Sequence, residues 1–374
     1  MGNAAEIQRE EAAGLLQRPM VAQTVQDLLR RIHSAGLTAG DRLPSQAELR
    51  EIASRGASTL DAAMAVLVAH GVVSRKRRTG TVIEQPAASI PGLWTVSFAY
   101  APEDLGAVGF YTLMSAMVQT ELLRRGFQVR LHPRQRHRQH VADTPEDFQG
   151  LAHDIAAGVC AGVLTPANVA CGVSAVPWVH LGAARRMPCA SLYDRSEWIR
   201  EAIPALRAAG AARIHLVADF APSAGAIPEE WWPAFVRAAP QQAVCHAAGR
   251  GLAGGMAVAD QLLALPARQR PDGLVVTDDR IASGLSLRLL ATADYRPTVA
   301  VQTCRQVPQV YGWPVLGFAN DLEALIATAI DLLAARLVHP EQPAEQRVQV
   351  LQRTAGDEPA ILQASRGGSH APVR

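Results

Sequence analysis

The feature that most constrains the fold is an alternation of short apolar segments with longer amphipathic ones between residues 95 and 304. Segments such as TVSFAY (95–100), FQVRLHP (127–133) and VAVQTC (299–304) have the length and apolar content of buried strands. The segment FYTLMSAMVQTELLRRG (110–126) places apolar residues at helical spacing. This alternation predicts an α/β fold with doubly wound, mostly parallel sheets, and about ten strands exceed one small sheet, so we expect two lobes.

A different pattern precedes this region. Ser45 and Glu48 have the spacing of a capping box at the start of a helix, and Gly80 ends a tight turn between two short apolar runs. Three small helices and a hairpin predict a small N-terminal winged helix-turn-helix. We predict the three helices and two strands at residues 20–35, 46–54, 58–70, 72–74 and 81–83.

The turn of the predicted hairpin is strongly basic. Arg75–Arg78 are four consecutive cations in a chain whose formal net charge is only +2. A basic wing tip is typical of contact with DNA phosphates or the minor groove, and a solvated charged turn is the alternative. Hydroxyl groups at helix starts commonly hold phosphates, although Ser45 can also act as a cap alone. The predicted DNA-binding residues are Ser45, Ser58, Thr59, Arg75, Lys76, Arg77, Arg78 and Gly80.

Composition divides the chain into five parts. Two prolines in QPAASIPGLW mark a linker between the basic hairpin and the first strand of the alternating region. The last residues, ASRGGSHAPVR, have the composition of a disordered tail. We predict an N-terminal extension, a winged helix-turn-helix, a linker, an effector-binding and dimerisation domain, and a tail at residues 1–18, 19–85, 86–94, 95–353 and 354–374.

The sequence argues against several classes of enzyme. Lys76 is the only lysine of the chain and lies in the basic turn, whereas a Schiff-base cofactor or a Walker-type phosphate loop needs a lysine inside a pocket. No Gly-x-Ser-x-Gly, His-Glu-x-x-His or Gly-x-Gly-x-x-Gly motif occurs at a strand-to-helix turn. We therefore expect no enzyme, no catalytic residue and no cofactor, and an enzyme whose site has no sequence motif is the alternative.

Cysteine, histidine and hydropathy patterns bear on location. The five cysteines form no Cys-x-x-Cys pair, which favours a reducing compartment. His132, His137 and His140 lack acidic or cysteine neighbours at ligand spacing, so we expect a solvated loop and no metal site. No run approaches the ~20 apolar residues of a membrane span, and the N-terminus does not resemble a secretory signal. We expect a cytoplasmic protein without membrane contact, associated with the nucleoid when bound to an operator.

Residues 36–83 resemble the DNA-binding domain of the GntR family of bacterial regulators. The similarity is carried by GDRLPS (Gly40–Ser45), by Glu48 and Leu49, and by the exit of the wing at Gly80–Val82. The resemblance implies that the partner is a double-stranded DNA operator.

Three positions depart from that family. Its members carry a Ser-Arg pair at the start of the third helix and an Arg four residues later, and these side chains hold phosphates and read bases. Gly56, Ala57 and Asp61 stand there in this chain. A small-molecule-binding protein with a degenerate DNA-binding domain is therefore the alternative hypothesis.

Residues 95–353 resemble the effector domain of the lactose-repressor family, which is itself similar to type I periplasmic sugar-binding proteins. The similarity is carried by AGVLTP, SLYD, RPDGLVVTDDRIASG and the segment from VAVQTCRQ to IDLLAARL. Joined to a GntR-type domain, the arrangement resembles the arabinose-repressor branch. The resemblance implies a homodimeric regulator, more often a repressor of a carbohydrate or related catabolic operon. Its effector would bind in the cleft between the lobes and change operator affinity.

Candidate effector residues follow from the ends of the predicted strands, because ligands of such sheets bind beyond the carboxyl ends. Asp194 and Asp279 each have helix capping as the alternative role. The resemblance implies an acidic pair in sugar-binding relatives where this chain has Thr303–Arg305. The expected effector is therefore either a plain sugar or a sugar acid or sugar phosphate bound by Arg305 or Arg134. The predicted effector-binding residues are Tyr100, Arg134, Asp194, Arg195, Phe220, Asp278, Asp279 and Arg305.

Overall fold

The structure, a computed structural model of the 374-residue chain, divides into two compact units. Unit 1 comprises Met1–Leu192 and Glu323–Arg347, and unit 2 comprises Tyr193–Leu322 and Val348–Arg374. Among the described residues, no helix combines the length and the apolar character that a membrane crossing requires. The structure describes residues 2–53, 55–76, 80–85, 93–100, 110–135, 143–167, 169, 176–182, 187–218, 231–242, 244–249, 251–292, 295–307, 309–339 and 343–354.

The N-terminal part of unit 1 is a winged helix-turn-helix, as predicted. Its last two strands, β1 and β2, form an antiparallel hairpin. The first helix was not predicted: the N-terminal extension folds as α1, which packs on α4 and buries Ala12 and Leu16. The elements are α1 (Gly2–Leu16), α2 (Pro19–Ser34), α3 (Gln46–Ala53), α4 (Ala57–Ala69), β1 (Val73–Lys76) and β2 (Gly80–Ile83).

Apolar periodicity and a capping box explain these helices. α2 and α4 bury aliphatic side chains at helical spacing, and they pack against each other. The capping box at the start of α3 is confirmed: the Ser45 backbone N–H and hydroxyl donate to Glu48 Oε2, both at 2.7 Å, and the Glu48 N–H donates to Ser45 Oγ at 3.3 Å. These bonds satisfy donors that the helix start leaves unpaired.

Two six-stranded sheets follow, which confirms the predicted α/β class with two lobes. The first has the strand order β13-β7-β6-β5-β3-β4, and β4, β3, β5, β6 and β7 pair in parallel. Its strands are β3 (Thr95–Tyr100), β4 (Gln128–Pro133), β5 (Gly162–Thr165), β6 (Trp178–Gly182), β7 (Ala190–Tyr193) and β13 (Gln346–Gln349). The helices of this region are α5 (Phe110–Arg124), α6 (Leu151–Ala156) and α11 (Leu322–Val338).

The second sheet has the order β14-β12-β11-β10-β8-β9, and its strands are parallel except for the antiparallel β12–β14 pair. The strands are β8 (Ile214–Ala218), β9 (Cys245–Ala247), β10 (Gly273–Val276), β11 (Thr298–Cys304), β12 (Leu316–Asn320) and β14 (Gln352–Arg353). The helices are α7 (Glu197–Ala208), α8 (Trp231–Ala238), α9 (Gly251–Ala264) and α10 (Asp279–Leu290).

One predicted helix is wrong in its extent. The sequence PEDFQGLAHDIAAG favours a single helix, but the chain forms a short 3-10 turn at Pro145–Asp147 and then α6. Gly150 separates the two, with a left-handed φ of 72° that interrupts any continuous helix.

Glycines set the position of α10, which carries two of the candidate effector residues. A Cβ at Gly255 would lie 2.0 Å from the Ile281 carbonyl oxygen, and a Cβ at Gly284 would lie 2.0 Å from that of Leu252. The backbones of α9 and α10 therefore touch directly. This close packing holds the start of α10 rigidly at the carboxyl end of β10.

Candidate nucleic-acid interface and effector site

The exposed start of α4 is one part of the candidate DNA-binding surface. Ala57 and Ser58 are exposed, and Thr59 is half-buried. The N-cap residue Gly56 has an extended backbone and provides no side-chain cap. The first backbone N–H groups of α4 therefore lack the side-chain partner that a Ser or Asp cap would give, and such groups can bind phosphate.

The hairpin that carries the basic residues is described at its base. Arg75 pairs in register with Thr81, and Lys76 pairs with Gly80. Gly80 has a φ of 87°, a left-handed conformation that favours glycine at this turn. Arg77, Arg78 and the side chain of Lys76 lie outside the described residues, so their contact with DNA stays a prediction.

Arg75, whose side chain lies within the described part of the hairpin, contacts α4. Its Nη2 lies 3.6 Å from Oδ1 of Asp61, and both side chains are about half exposed, at 52% and 51%. The same Oδ1 accepts a hydrogen bond from Gln46 Nε2 of α3 at 2.5 Å. Asp61 therefore joins α3, α4 and the wing. Sequence reasoning recognised Asp61 as a departure from the GntR pattern but did not find these two partners.

α2 is buried on more than one side because it also packs against the lobe of the first sheet. Gln26 is only 3% exposed, and its Nε2 donates to the Val159 carbonyl oxygen at 3.5 Å. Next to it, a Cβ at Gly158 would lie 2.8 Å from Gln23 Cδ, and Gly158 has a left-handed φ of 69°. The winged helix-turn-helix is thus closely packed on the loop between α6 and β5.

Two cations extend this contact. We call the whole contact the reader–lobe interface, where the reader is the winged helix-turn-helix and the lobe is that of the first sheet. It joins Gln17, Gln23, Gln26 and Arg30 to Trp94, Arg130, Gly158 and Val159. Arg130 bonds Asp154 through Nη1 at 2.8 Å and reaches Gln17 Oε1 through Nη2 at 3.3 Å. The guanidinium carbon of Arg30 lies 5.9 Å from the centre of the Trp94 ring. Trp94 and Val159 come just before β3 and β5, so the interface lies at the amino ends of these parallel strands.

At the carboxyl end of the first sheet, the predicted effector-binding residue Arg134 is already paired with a carboxylate. Arg134 Nη1 donates to Asp143 Oδ2 at 2.8 Å, and the two side chains are only 9% and 5% exposed. Tyr100, at the end of β3, stacks on Phe98 with ring centres 5.7 Å apart. Arg134 follows the neighbouring strand, so the structure brings Tyr100 and Arg134 together, but with the arginine neutralised by a carboxylate.

His132 does not lie in a solvated loop, and that prediction is wrong for this residue. It belongs to β4 and is 3% exposed. Its Nδ1 lies 2.8 Å from the Gln149 carbonyl oxygen and its Nε2 lies 3.0 Å from Ser97 Oγ. His137 and His140 lie outside the described residues, and the described part of the chain contains no cluster of three or more His, Cys, Asp or Glu side chains fit for a metal.

Asp194 accepts backbone hydrogen bonds in the turn that leads into α7, whose N-cap is Ser196. Asp194 Oδ1 accepts from the Ser196 N–H at 2.6 Å and from the Glu197 N–H at 3.0 Å, at the start of α7. The neighbouring Arg195 lies against two aromatic rings, 5.7 Å from the centre of Tyr193 and 5.0 Å from that of Trp231. Phe220 lies outside the described residues.

The start of α10 separates the roles of two adjacent acids. Asp278 is the N-cap: its Oδ1 accepts from the Arg280 N–H at 2.9 Å and the Ile281 N–H at 3.1 Å. Asp279 does not cap the helix. Burial and the neighbouring carboxylate of Asp278 raise the pKa of Asp279 to about 7. The charge of Arg280 and hydrogen bonds from nearby backbone N–H groups lower the pKa of Asp279 and offset only part of this rise.

Tyr311, which sequence reasoning missed, lies beside these acids. Burial, together with the negative charges of Asp279 and Asp278, raises the pKa of its hydroxyl. The Tyr311 hydroxyl oxygen is buried and has no hydrogen-bond partner among the described residues. Two bonds hold its loop on α10: Ser283 Oγ donates to the Val310 carbonyl oxygen at 2.7 Å, and the Gly312 N–H donates to Ser286 Oγ at 3.2 Å.

Other buried polar atoms near the carboxyl ends of the strands of the second sheet also lack a hydrogen-bond partner among the described residues. Buried oxygen atoms without a hydrogen-bond partner among the described residues occur at the ends of β10, β11 and β12. We call this set, together with Asp279 and Tyr311, the second-sheet edge. The three additional residues are Thr277, Gln302 and Asn320.

Arg305 and its neighbour Cys304 add little unpaired charge at the end of β11. Arg305 Nη1 lies 3.3 Å from Asp321 Oδ2 and is more than half exposed. Burial raises the pKa of the Cys304 thiol to about 11, so this group is neutral near pH 7. At the end of β11 this chain therefore offers a neutral thiol and a paired guanidinium.

Comparison with known proteins agrees with the N-terminal half of this description. Residues 20–83 match the model of the bacterial regulatory proteins of the gntR family. The uncharacterized HTH-type transcriptional regulator YcbG of Bacillus subtilis (strain 168) is 27% identical over 118 residues, which are 29% of this chain. The match spans 50% of the length of YcbG.

Solved structures similar to this chain are regulators with the LacI fold. A LacI transcriptional regulator from a Rhodococcus species aligns with a TM-score of 0.54 and 17% identity over 69% of this chain and 96% of its own. A dimeric Lac repressor with an 11-residue C-terminal deletion gives 0.55 and 16% over 69% and 96%. The regulator CelR in complex with cellobiose gives 0.53 and 18% over 80% and 90%. At this identity the likeness shows a shared fold.

Proposed function

From a GntR-type DNA-binding domain at residues 20–83 and a LacI-like fold beyond it, we propose that this protein is a ligand-responsive transcriptional regulator, acting as a repressor. The observation that supports this best is the coincidence of the family match with a winged helix-turn-helix in which α4 and the wing adjoin through Asp61 and Arg75. We assign DNA binding to residues 19–85 and effector binding and dimerisation to residues 95–353.

The DNA contacts follow the geometry of such domains. α4 enters the major groove with its first turns toward the base edges, and the wing lies along the backbone. Hydroxyl and backbone N–H groups at the helix starts hold phosphates, and the basic wing tip supplies most of the salt-dependent affinity. The residues in these roles are Ser45, Ser58, Thr59, Arg75, Lys76, Arg77, Arg78 and Gly80.

The effector binds at the carboxyl ends of the strands of unit 2, and it is a neutral polyhydroxylated molecule such as a sugar. The second-sheet edge offers carbonyl and hydroxyl oxygens and one acid whose pKa is about 7, which suits exchange of hydrogen bonds with hydroxyl groups. The predicted anion partners, Arg134 and Arg305, are each paired with a carboxylate. This pairing favours a sugar over a sugar acid or phosphate, and one structural neighbour, CelR, is in complex with cellobiose.

The reader–lobe interface transmits the effector signal. Gln26 and Gly158 pack the DNA-binding domain on the loop before β5, so a shift of this loop moves α2 and, through the helix packing, α4. A ligand changes operator affinity only if it binds two such arrangements unequally. In a Gln26→Ala variant, the sugar should still bind and should no longer change operator affinity.

The active form is a homodimer in the cytoplasm and is not an enzyme. Two DNA-binding domains then contact half-sites that are about one helical turn, ~34–36 Å, apart. Turnover of the bound sugar should be undetectable over hours in a product assay, and any catalytic consumption of the sugar would contradict this assignment.

The direct test combines DNA binding with ligand titration. Fluorescence anisotropy with duplexes from the region upstream of the gene and of neighbouring operons should show nanomolar-range binding that a sugar weakens. Sugars, sugar acids and sugar phosphates are first screened by thermal shift. Binding of a sugar without any DNA binding at low salt would favour a small-molecule-binding protein with a degenerate DNA-binding domain.

The wing has its own test. Each neutralised phosphate contributes about 0.9 to the slope of log affinity against log salt, so converting Arg77 and Arg78 to Ala should reduce this slope by about two. Affinity should fall to a similar degree for every duplex sequence. An unchanged slope would show that the wing tip does not contact DNA.

A further inference from the structure

α4 carries a single charged side chain, and that side chain is acidic. The helix reads ASTLDAAMAVLVA, and Asp61 is its only ionisable residue. Its neighbours on the accessible face are small: Ala57, Ser58 and Ala65 are exposed, and Thr59 and Ala62 are half-buried. Apart from the two hydroxyl groups of the first turn, Asp61 is therefore the polar side chain that this face of α4 presents to a groove.

The two protein contacts of Asp61 use the same oxygen atom. Gln46 Nε2 donates to Oδ1 at 2.5 Å, and Arg75 Nη2 lies 3.6 Å from Oδ1. Among the described residues, Oδ2 has no such contact. The carboxylate is thus held through Oδ1 by residues of α3 and the wing, and Oδ2 receives no donor from the described residues.

A carboxylate on a DNA-facing helix is unfavourable unless the DNA supplies a donor, because it repels the phosphates. The ion pair with Arg75 is half exposed and contributes little. In the major groove, cytosine presents its N4 amino group as a donor, and Asp and Glu are the side chains that accept from it. Guanine presents acceptors at N7 and O6, which disfavour a carboxylate.

We propose that Asp61 is a specificity-determining residue that reads a cytosine in each half-site through Oδ2. Gln46 and Arg75 position the carboxylate, and Arg75 reduces its repulsion of the backbone. The inference rests on the proposed DNA-binding function and adds the base that the recognition helix selects. It also gives a role to the residue that departs most in charge from the GntR pattern.

The experiment is selection of duplexes from a random library by the full-length protein, followed by competition binding at single positions of the half-site. The wild-type protein should require a C·G pair at one position, with about tenfold weaker binding for other pairs. Asp61→Ala should lose the preference at that position alone. Asp61→Asn should prefer A·T there, because an amide pairs with the N6 and N7 atoms of adenine.

Glu51→Gln is the matched control, since Glu51 is an exposed acid on α3 and the variant makes the same change in charge. It should leave every base preference unchanged. Thermal unfolding of all variants checks that they are folded. If folded Asp61→Ala and Asp61→Asn proteins select the wild-type sequence, the inference is overturned while the regulator function stands. If the wild-type protein enriches no sequence, both fail.

Discussion

The two six-stranded sheets share a strand order but differ in the chemistry at their carboxyl ends. In the first, Arg134 and Asp143 neutralise each other in a nearly buried ion pair. In the second, Asp279 has no pairing cation among the described residues, and the Tyr311 hydroxyl beside it has no hydrogen-bond partner. The charge at the first edge is therefore neutralised within the protein, whereas the second edge keeps buried oxygen atoms without a hydrogen-bond partner among the described residues.

This difference assigns distinct tasks to two similar scaffolds. A buried polar group without a partner costs roughly 1–3 kcal/mol, so the second-sheet edge is a source of instability in the free protein. A ligand that supplies the missing hydrogen bonds binds tightly and also stabilises unit 2. The first edge contributes stability and shape. Four measurements test this contrast.

The largest effect is expected from Asp143→Ala. The substitution removes one partner of a nearly buried ion pair, which should lower the free energy of unfolding by about 3–5 kcal/mol. Urea unfolding measures the change. Asp260→Ala is the control, since it breaks the exposed pair with Arg288 and should cost less than about 1 kcal/mol. Equal losses in the two variants would contradict a structural role for the Arg134–Asp143 pair.

The next largest effect is expected on ligand binding in Asp279→Ala. Loss of a hydrogen bond to a charged group should weaken the binding of the screened sugar about 10- to 100-fold. Isothermal titration calorimetry measures the affinity, and operator binding without ligand should not change. Asp260→Ala again serves as the control, and a normal affinity in Asp279→Ala would place the ligand elsewhere.

The third effect concerns pH. The pKa of Asp279 is about 7 in the folded protein, and its ordinary value is 3.8. Between these two pH values the folded protein therefore keeps this carboxyl protonated, whereas the unfolded chain has lost the proton. This contribution to stability is fully present below the ordinary pKa and is lost as pH rises through 7. The loss should be about 1 kcal/mol between pH 6 and pH 7. The difference in stability between the wild type and Asp279→Asn, measured by thermal unfolding, should show this slope, since the lowered pKa of His215 acts in the opposite direction in both proteins, and a difference that does not vary with pH would contradict the shift.

The smallest effect is expected in Tyr311→Phe. Removing the hydroxyl should weaken sugar binding about threefold, because one hydrogen bond is lost. The free protein should be at least as stable as the wild type, since a buried hydroxyl without a partner disappears. Affinity and unfolding temperature are measured together. A loss of stability without a loss of affinity would make Tyr311 a structural residue.

Much of the fold was predictable because local signals agree with tertiary structure. Alternating strands and helices, the capping box at Ser45 and the hairpin turn that ends at Gly80 all depend on short-range patterns. The position of Asp279 was also predictable, because the rule of strand ends needs only the order of elements. Its neutral-range pKa was not, since this depends on burial and on Asp278.

The pairings could not be predicted, because they join residues that are distant in sequence. Asp143 meets Arg134 from nine positions along the chain, and Gln46 and Arg75 meet Asp61 from two other elements. Tyr311 follows no strand and belongs to a loop whose position is set by bonds to α10. Single-sequence patterns report periodicity and turns, and they carry no signal for such contacts.

The close fit of Gly158 against Gln23 has a practical consequence for building chimeric regulators. Exchanging the DNA-binding domain for that of another regulator would replace Gln23 while leaving Gly158, so the two surfaces would no longer match. A chimera that also transplants the loop between α6 and β5 keeps both surfaces of the contact between Gln23 and Gly158. Biosensors designed on this scaffold should therefore be cut beyond that loop rather than at the proline-containing linker.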